Sequence, residues 1–124
     1  MKARVLLVDD KPEFRKLTRM VLSRDYDVES VENGLEALSL LQTGYLPDVI
    51  ISDLLMPALD GVGFIKQVKS SGAFQKIPVI VLSSLDKSAE RVKLFQLGAN
   101  DFIIKPFNPE ELLLRVQLQL KRSA

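Results

Sequence analysis

Asp48-Val49-Ile50-Ile51-Ser52-Asp53-Leu54-Leu55-Met56-Pro57-Ala58-Leu59-Asp60-Gly61 is the stretch that decides the fold. Its apolar run is too short for a helix and stops at a carboxylate, and a Pro/Asp/Gly turn follows. Val49, Ile50 and Ile51 in succession read as a strand buried on both faces, the mark of a parallel sheet covered by helices. Asp53 then stands at the carboxyl end of that strand, where open α/β sheets carry their ligand chemistry. It is the leading candidate for the functional residue.

The same pattern recurs on either side. Val5-Leu6-Leu7-Val8 is a second buried run, and it ends in Asp9-Asp10. Pro12 suits a first helical turn, and Phe14, Leu17, Val21 and Leu22 continue with helical period. Val28 and Val31 mark a short second strand. Asn33 and Glu36 have the spacing of a capping box, and Leu35, Leu38 and Leu41 carry that helix to Gly44. Beyond the central strand, Phe64, Ile65 and Val68 mark a third helix, closed by Ser70-Ser71-Gly72. Pro78-Val79-Ile80-Val81-Leu82 runs into Ser83-Ser84. Ala89, Val92 and Phe95 mark a fourth helix that stops at Gly98. Phe102-Ile103-Ile104 ends at Lys105-Pro106. Asn108, Pro109 and Glu110-Glu111 open a last helix that finishes in Lys121-Arg122, with charge matched to the helix dipole at both ends.

Five strands alternating with five helices predict a doubly wound parallel α/β sheet, read as a single domain over residues 1–124. Right-handed crossovers bring the carboxyl ends of the strands to one edge. Asp9, Asp10, Asp53, Ser83 and Lys105 are therefore expected to converge there.

Composition narrows the chemistry available. The chain has 124 residues, no Cys and no His, so thiolate chemistry, disulfides and imidazole catalysis are excluded. Seventeen basic against sixteen acidic residues leave +1, which recommends neither nucleic acid nor membrane as a partner. The amino-terminal apolar run is too short for a signal peptide or a membrane span, so a cytoplasmic location is expected.

Three carboxylates held close together repel one another unless a cation neutralises them. An all-oxygen site suits a hard ion, Mg2+ or Mn2+. A carboxylate beside such an ion can attack phosphorus to give an aspartyl phosphate, with Lys105 as a second positive charge and Ser83 as a hydroxyl donor. Taken singly, each residue has a blander reading: a solvated helix start for Asp9-Asp10, a turn former for Asp53, a cap for Ser83, a surface charge for Lys105. All five at strand ends, in this order, is the stronger observation.

Val8-Asp9-Asp10, Asp53-Leu54-Leu55-Met56-Pro57 with Asp60-Gly61, Val81-Leu82-Ser83, and Gly98-Ala99 through Lys105-Pro106-Phe107 resemble the receiver domains of two-component response regulators. The resemblance spans the whole chain. It implies a flavodoxin-like strand order of 2-1-3-4-5. It further implies a phosphoacceptor switch in which Asp53 takes a phosphoryl group from a sensor histidine kinase or a phosphotransfer protein. Such a domain is no conventional enzyme; it catalyses its own phosphotransfer and a slow autodephosphorylation. By the same resemblance Asp10, Asp53 and the backbone carbonyl of Leu55 would ligate Mg2+, with Asp9 acting through water. Lys105 would pair with the phosphoryl group, and the Lys105-Pro106 bond would be cis. Ser83 would swing toward the phosphate and Phe102 would turn inward, biasing a surface on the fourth helix, fifth strand and fifth helix. Leu55 and Leu85 are apolar where many receivers carry polar side chains, which implies a long-lived acyl phosphate.

On the last helix Leu112, Leu113, Val116 and Leu120 form the core stripe, while Leu114 and Leu118 lie on another face. With Leu94 they are expected to form an exposed patch, either a partner surface or a small patch covered by lysine and arginine stems. Arg91, Lys93, Asp101, Glu111 and Arg115 fall where receivers of winged-helix regulators carry the charges of a symmetric dimer. Gln96, Asn100 and Gln117 replace charges usual there, so homodimerisation on phosphorylation is one possibility among others. Stand-alone receiver and piece of a longer regulator both remain open.

Three rival readings compete with this one. A dehalogenase-type phosphohydrolase needs a second Asp two residues after the nucleophile, where Leu55 stands. A flavin or nucleotide binder would need a glycine-rich loop after the first strand. A pseudo-receiver, acting as an interaction module without phosphorylation, is the remaining alternative.

Overall fold

The computed structural model describes residues 2–54, 60–84 and 88–123. Among them five strands alternate with five helices: β1 (Arg4–Val8), α1 (Pro12–Leu22), β2 (Asp27–Val31), α2 (Gly34–Gln42), β3 (Val49–Ser52), α3 (Gly61–Ser70), β4 (Val79–Ser83), α4 (Ser88–Gln96), β5 (Asp101–Ile104) and α5 (Pro109–Ser123). All strand pairs are parallel, and the order is β2-β1-β3-β4-β5. This is the flavodoxin-like order that the resemblance to receiver domains implies.

Alternation along each strand divides the core between the two faces. Leu6, Val8, Ile50, Val79, Val81 and Phe102 meet Ala37 and Leu41 of α2, Phe64, Ile65 and Val68 of α3, and Leu94 of α4. On the other face Val5, Leu7, Val49, Ile51, Ile80, Leu82 and Ile103 meet Val21 and Leu22 of α1 and Leu112 and Val116 of α5. β3 and β4 are buried along their whole lengths. That is why their sequences read as unbroken apolar runs rather than alternating ones.

Local signals set the element ends. Pro12 occupies the start of α1. Asn33 caps α2 by accepting the Glu36 amide, while the Glu36 carboxylate reaches back to the Glu32 amide. Asp60 caps α3 through the Gly63 amide, and Asn108 caps α5 through the Glu110 amide. Gly44 and Gly98 adopt positive φ after α2 and α4, where a side chain would be strained.

Three helices face the core differently from the sequence reading. In α4, Val92 and Phe95 are exposed and Leu94 is buried. The turn at Gly98 ties the Leu94 carbonyl to the amides of Leu97 and Ala99, and this sets Leu94 beside Ala99 and Phe102 in the core. At 100° per residue, Val92 and Phe95 must then face away. Leu94 is therefore not part of an exposed patch. In α1, Leu17 is exposed and Thr18 is buried instead, its hydroxyl satisfied by the Phe14 carbonyl at 2.8 Å. In α2, Leu35 is exposed and Ala37 faces the sheet.

Candidate active site at the carboxyl edge of the sheet

The backbone ladder continues one residue past the strands, and that continuation places the site. The amide of Asp9 donates to Val31 O, that of Asp53 to Val8 O, and that of Lys105 to Ser83 O, at 3.1, 2.9 and 2.8 Å. Each functional side chain is thus fixed by the hydrogen bonding of the strand beside it. Asp9, Asp53 and Ser83 are buried, and so is most of the Lys105 side chain.

Asp9, Asp10 and Asp53 each offer a carboxylate oxygen, all within 4.8 Å of one another. Lys105 Nζ donates to Asp9 Oδ2 at 3.0 Å and lies 3.3 Å from Asp53 Oδ2. The same ammonium stands 4.2 Å from the centroid of the Phe14 ring, a cation–π contact in a poorly solvated place. Phe14 in turn meets Phe107 edge-to-face at 5.8 Å. Asp53 Oδ1 accepts the Leu54 amide at 2.7 Å. Asp53 Oδ2 and Asp10 Oδ1, both buried, accept no hydrogen bond.

Gly61 closes the site from below. Its amide donates to Leu54 O at 2.8 Å. A Cβ there would collide with the Asp53 carbonyl and stand 2.6 Å from Leu54 Cα. Only glycine lets α3 begin this close to the candidate residue. The Lys105–Pro106 peptide bond is cis, in the connection between β5 and α5.

The donor set fits a hard divalent cation. Three carboxylates converge with no softer ligand among them; Asp10 Oδ1 and Asp53 Oδ2 are buried and accept no hydrogen bond, the latter with the ammoniums of Lys105 and Lys11 nearby. Such oxygens are costly to bury unless something positive approaches them. Leu55, expected to contribute its carbonyl, lies outside the described residues, as does Leu85.

Three side chains in the site were not singled out by sequence reading. Lys11 Nζ lies 3.8 Å from Asp53 Oδ2. Arg15 donates to the Asp9 carbonyl at 2.7 Å. Phe14, read only as core, also supports Lys105. Adjacency to the acidic pair was the available signal for Lys11, but a lone lysine at a helix start reads as surface.

Away from this edge, Phe102 is buried on β5, with the Arg91 guanidinium 5.9 Å from its ring centroid. Arg115 bonds to Asp101 at 2.8 Å and pairs with Glu111 at 3.2 Å. Partial burial pulls down the Arg115 pKa, but its hydrogen bonds to Asp101 and Glu111 and their charges outweigh this and raise it. Those charges are thus engaged within the chain. Leu114, Leu118 and Lys93 are exposed. Asn100, where a charge would be usual, is exposed but engaged within the chain, its Oδ1 accepting from the Val79 amide and from Lys69 Nζ.

A family model described as "Response regulator receiver domain" matches residues 5–117. The transcriptional regulatory protein ResD of Bacillus subtilis is 38% identical over 125 residues, which cover 99% of this chain and 50% of ResD. The response regulator MprA of Mycobacterium sp. (strain KMS) is 39% identical over 125 residues, covering 100% of this chain and 53% of its own. The chain thus spans about half the length of these curated relatives. Among solved structures, the receiver domain of the Francisella response regulator 1452 superposes with a TM-score of 0.92 at 31% identity, covering 99% of this chain and 100% of that one. The chemotaxis response regulator CheY4 of Vibrio cholerae does so at 0.89 and 34%, covering 96% and 99%.

Proposed function

The chain belongs to the response regulator receiver domain family, and from that premise we propose that it is a phosphoacceptor switch with Asp53 as the acceptor. The observation that carries the reading is the juxtaposition of Lys105 with both Asp9 and Asp53, beside two buried carboxylate oxygens that accept no hydrogen bond. Asp10 and Asp53 would hold Mg2+ directly and Asp9 through water. The cation would supply the positive charge that lets a carboxylate approach a phosphoryl group.

In the transfer, a carboxylate oxygen of Asp53 forms a bond to phosphorus. The bond from phosphorus to the donor nitrogen of a phosphohistidine breaks, and the imidazole leaves with the electron pair. Lys105, already 3.3 Å from Asp53 Oδ2, is placed to take a phosphoryl oxygen as its partner. Ser83 lies on the neighbouring strand and would donate its hydroxyl to another. Its movement would leave space for the Phe102 ring and so bias the surface formed by α4, β5 and α5. Arg91, Lys93, Asp101, Glu111, Leu114, Arg115 and Leu118 border that surface. It is the face we assign to the partner, a second phosphorylated copy among the options. Donor, sensor kinase and output all belong to this proposal.

Borohydride reduction after exposure to a small phosphoryl donor and Mg2+ tests the assignment, because an acyl phosphate is reduced to an alcohol. Peptide mapping should find homoserine at position 53. Homoserine at another carboxylate would overturn it, as would none at all after exposure to small donors and to phosphorylated kinases alike. Leu55 and Leu85 offer no side chain to orient an attacking water, so the phosphorylated form should be long-lived. Decay of the adduct, followed by mass, checks this, and Leu55→Asn should hasten it. Fast decay of the unmodified chain would refute the expectation.

A further inference from the structure

Lys11 stands where two local rules argue against a lysine. It is the N-cap residue of α1, with extended backbone (φ −90°, ψ 109°) and no side-chain cap. Ser, Thr, Asp and Asn are preferred at that position because their oxygens satisfy free amides of the first turn. A cation there also faces the positive end of the helix dipole. A residue that breaks local rules in this way marks either a functional position or an unresolved cost. Here a gain is visible. The Lys11 amide donates to Asp9 Oδ1 at 3.0 Å, which anchors the backbone over the site. The side chain then reaches Asp53, with Nζ 3.8 Å from Oδ2, the carboxylate oxygen that accepts no hydrogen bond. Unlike the buried Lys105, Lys11 is 57% exposed, so it stands at the mouth of the site.

We propose that Lys11 is an entrance cation for the phosphoryl donor. Before phosphorylation its ammonium screens Asp53, and as the donor arrives the same ammonium turns to the incoming phosphoryl oxygens. It thereby draws in anionic donors and opposes binding of the divalent ion. This rests on the reading of Asp53 as acceptor. With three carboxylates faced, among the described residues, by the ammoniums of Lys105 and Lys11, and with the Arg15 guanidinium held on the Asp9 carbonyl, removing one positive charge must alter what the remaining negative charge attracts. The effect is modest because the Lys11 pair is exposed and screened.

The test compares wild type, Lys11→Met and Lys11→Arg. Mg2+ affinity is measured by calorimetry, and phosphorylation by acetyl phosphate is followed by intact mass at saturating Mg2+. Lys11→Met should bind Mg2+ roughly two- to fivefold more tightly, a factor of the size that exposed, salt-screened charges contribute. Its phosphorylation should slow by a similar factor at low salt, and the difference should vanish near 1 M salt, where screening acts within about 3 Å. Lys11→Arg should keep wild-type behaviour in both measurements. Wild-type affinity and rate in Lys11→Met would overturn the proposal. So would a slowing that salt does not remove or that Lys11→Arg does not rescue, because that would mark a structural role. A wild-type chain that takes no phosphoryl group from acetyl phosphate or from phosphorylated kinases fails the Asp53 reading instead, and the calorimetric comparison then still judges Lys11.

Discussion

Asp10 receives the least help of the three site carboxylates. Asp9 has the Lys105 ammonium and the Lys11 amide, and Asp53 has the Leu54 amide and two ammoniums nearby. Asp10 Oδ1 is buried without a hydrogen bond. Replacing the charge by an amide of the same shape should therefore stabilise the metal-free protein. We expect Asp10→Asn to raise stability by about 1 kcal/mol in metal-free buffer. It should also shrink the gain in Tm on adding Mg2+ that is expected of the wild type, where an ion bound to the native state alone would stabilise it. Thermal unfolding of both proteins with and without Mg2+ checks the pair of outcomes; an unchanged Mg2+ response in the variant would remove Asp10 from the ligand set. At this scale the sequence was readable where position alone decides a role. Asp9, Asp10, Asp53, Ser83 and Lys105 each end or follow a recognisable apolar run. Lys11 and Phe14 were not readable as site residues, because their roles depend on which way α1 leaves the sheet.

Among the elements, α4 shows how periodicity can mislead when few apolar residues are present. Ala89, Val92 and Phe95 suggest one face, yet the helix buries Leu94. The decision comes from the Gly98 turn and from Phe102 on the next strand, neither of which lies within the helix. Leu94→Ala should therefore cost about 2–4 kcal/mol, as deletions from a packed core do. Val92→Ala should stay within about 0.5 kcal/mol, the range of surface changes. Urea denaturation of both variants checks this contrast, and the reverse ranking would mean that α4 presents its other face. α5 was legible because its signals agree. Asn108 caps it, Leu112 and Val116 are buried, and Leu114 and Leu118 are left outward. The caps of α2 and α3 were equally plain, since a cap is a contact between residues close in sequence.

For the whole molecule, the doubly wound parallel sheet followed from five apolar runs alternating with helical patterns, because parallel strands need crossovers and crossovers take one hand, whereas the order 2-1-3-4-5 came from the resemblance of the motifs to receiver domains. The assignment of α1 and α5 to one face and of α2, α3 and α4 to the other is visible only in three dimensions. The tyrosines report on the integrity of this arrangement. Burial pushes the pKa of Tyr26 above 10.0, aided by Asp25, and burial likewise raises that of Tyr45, aided by Glu29. The chain has two tyrosines and no tryptophan, so ultraviolet absorbance titration reads them directly. The folded protein should ionise with midpoints above 10.0 and the urea-unfolded chain near about 10. Above that pH the folded state holds more protons than the unfolded one, so this contribution to stability is present below about pH 10 and is lost as pH rises further. A folded midpoint equal to the unfolded one would show both rings to be solvated.

These scales meet at Asp53, placed by the bond its amide donates to the Val8 carbonyl and faced by Lys105. The most direct test is intact mass after incubation with acetyl phosphate, with and without Mg2+, beside an Asp53→Ala control. A single phosphoryl adduct that requires Mg2+ and is missing from Asp53→Ala is the expected result. An adduct that persists in Asp53→Ala would contradict the account, as would a failure of the wild type to accept phosphate from any donor, phosphorylated kinases included.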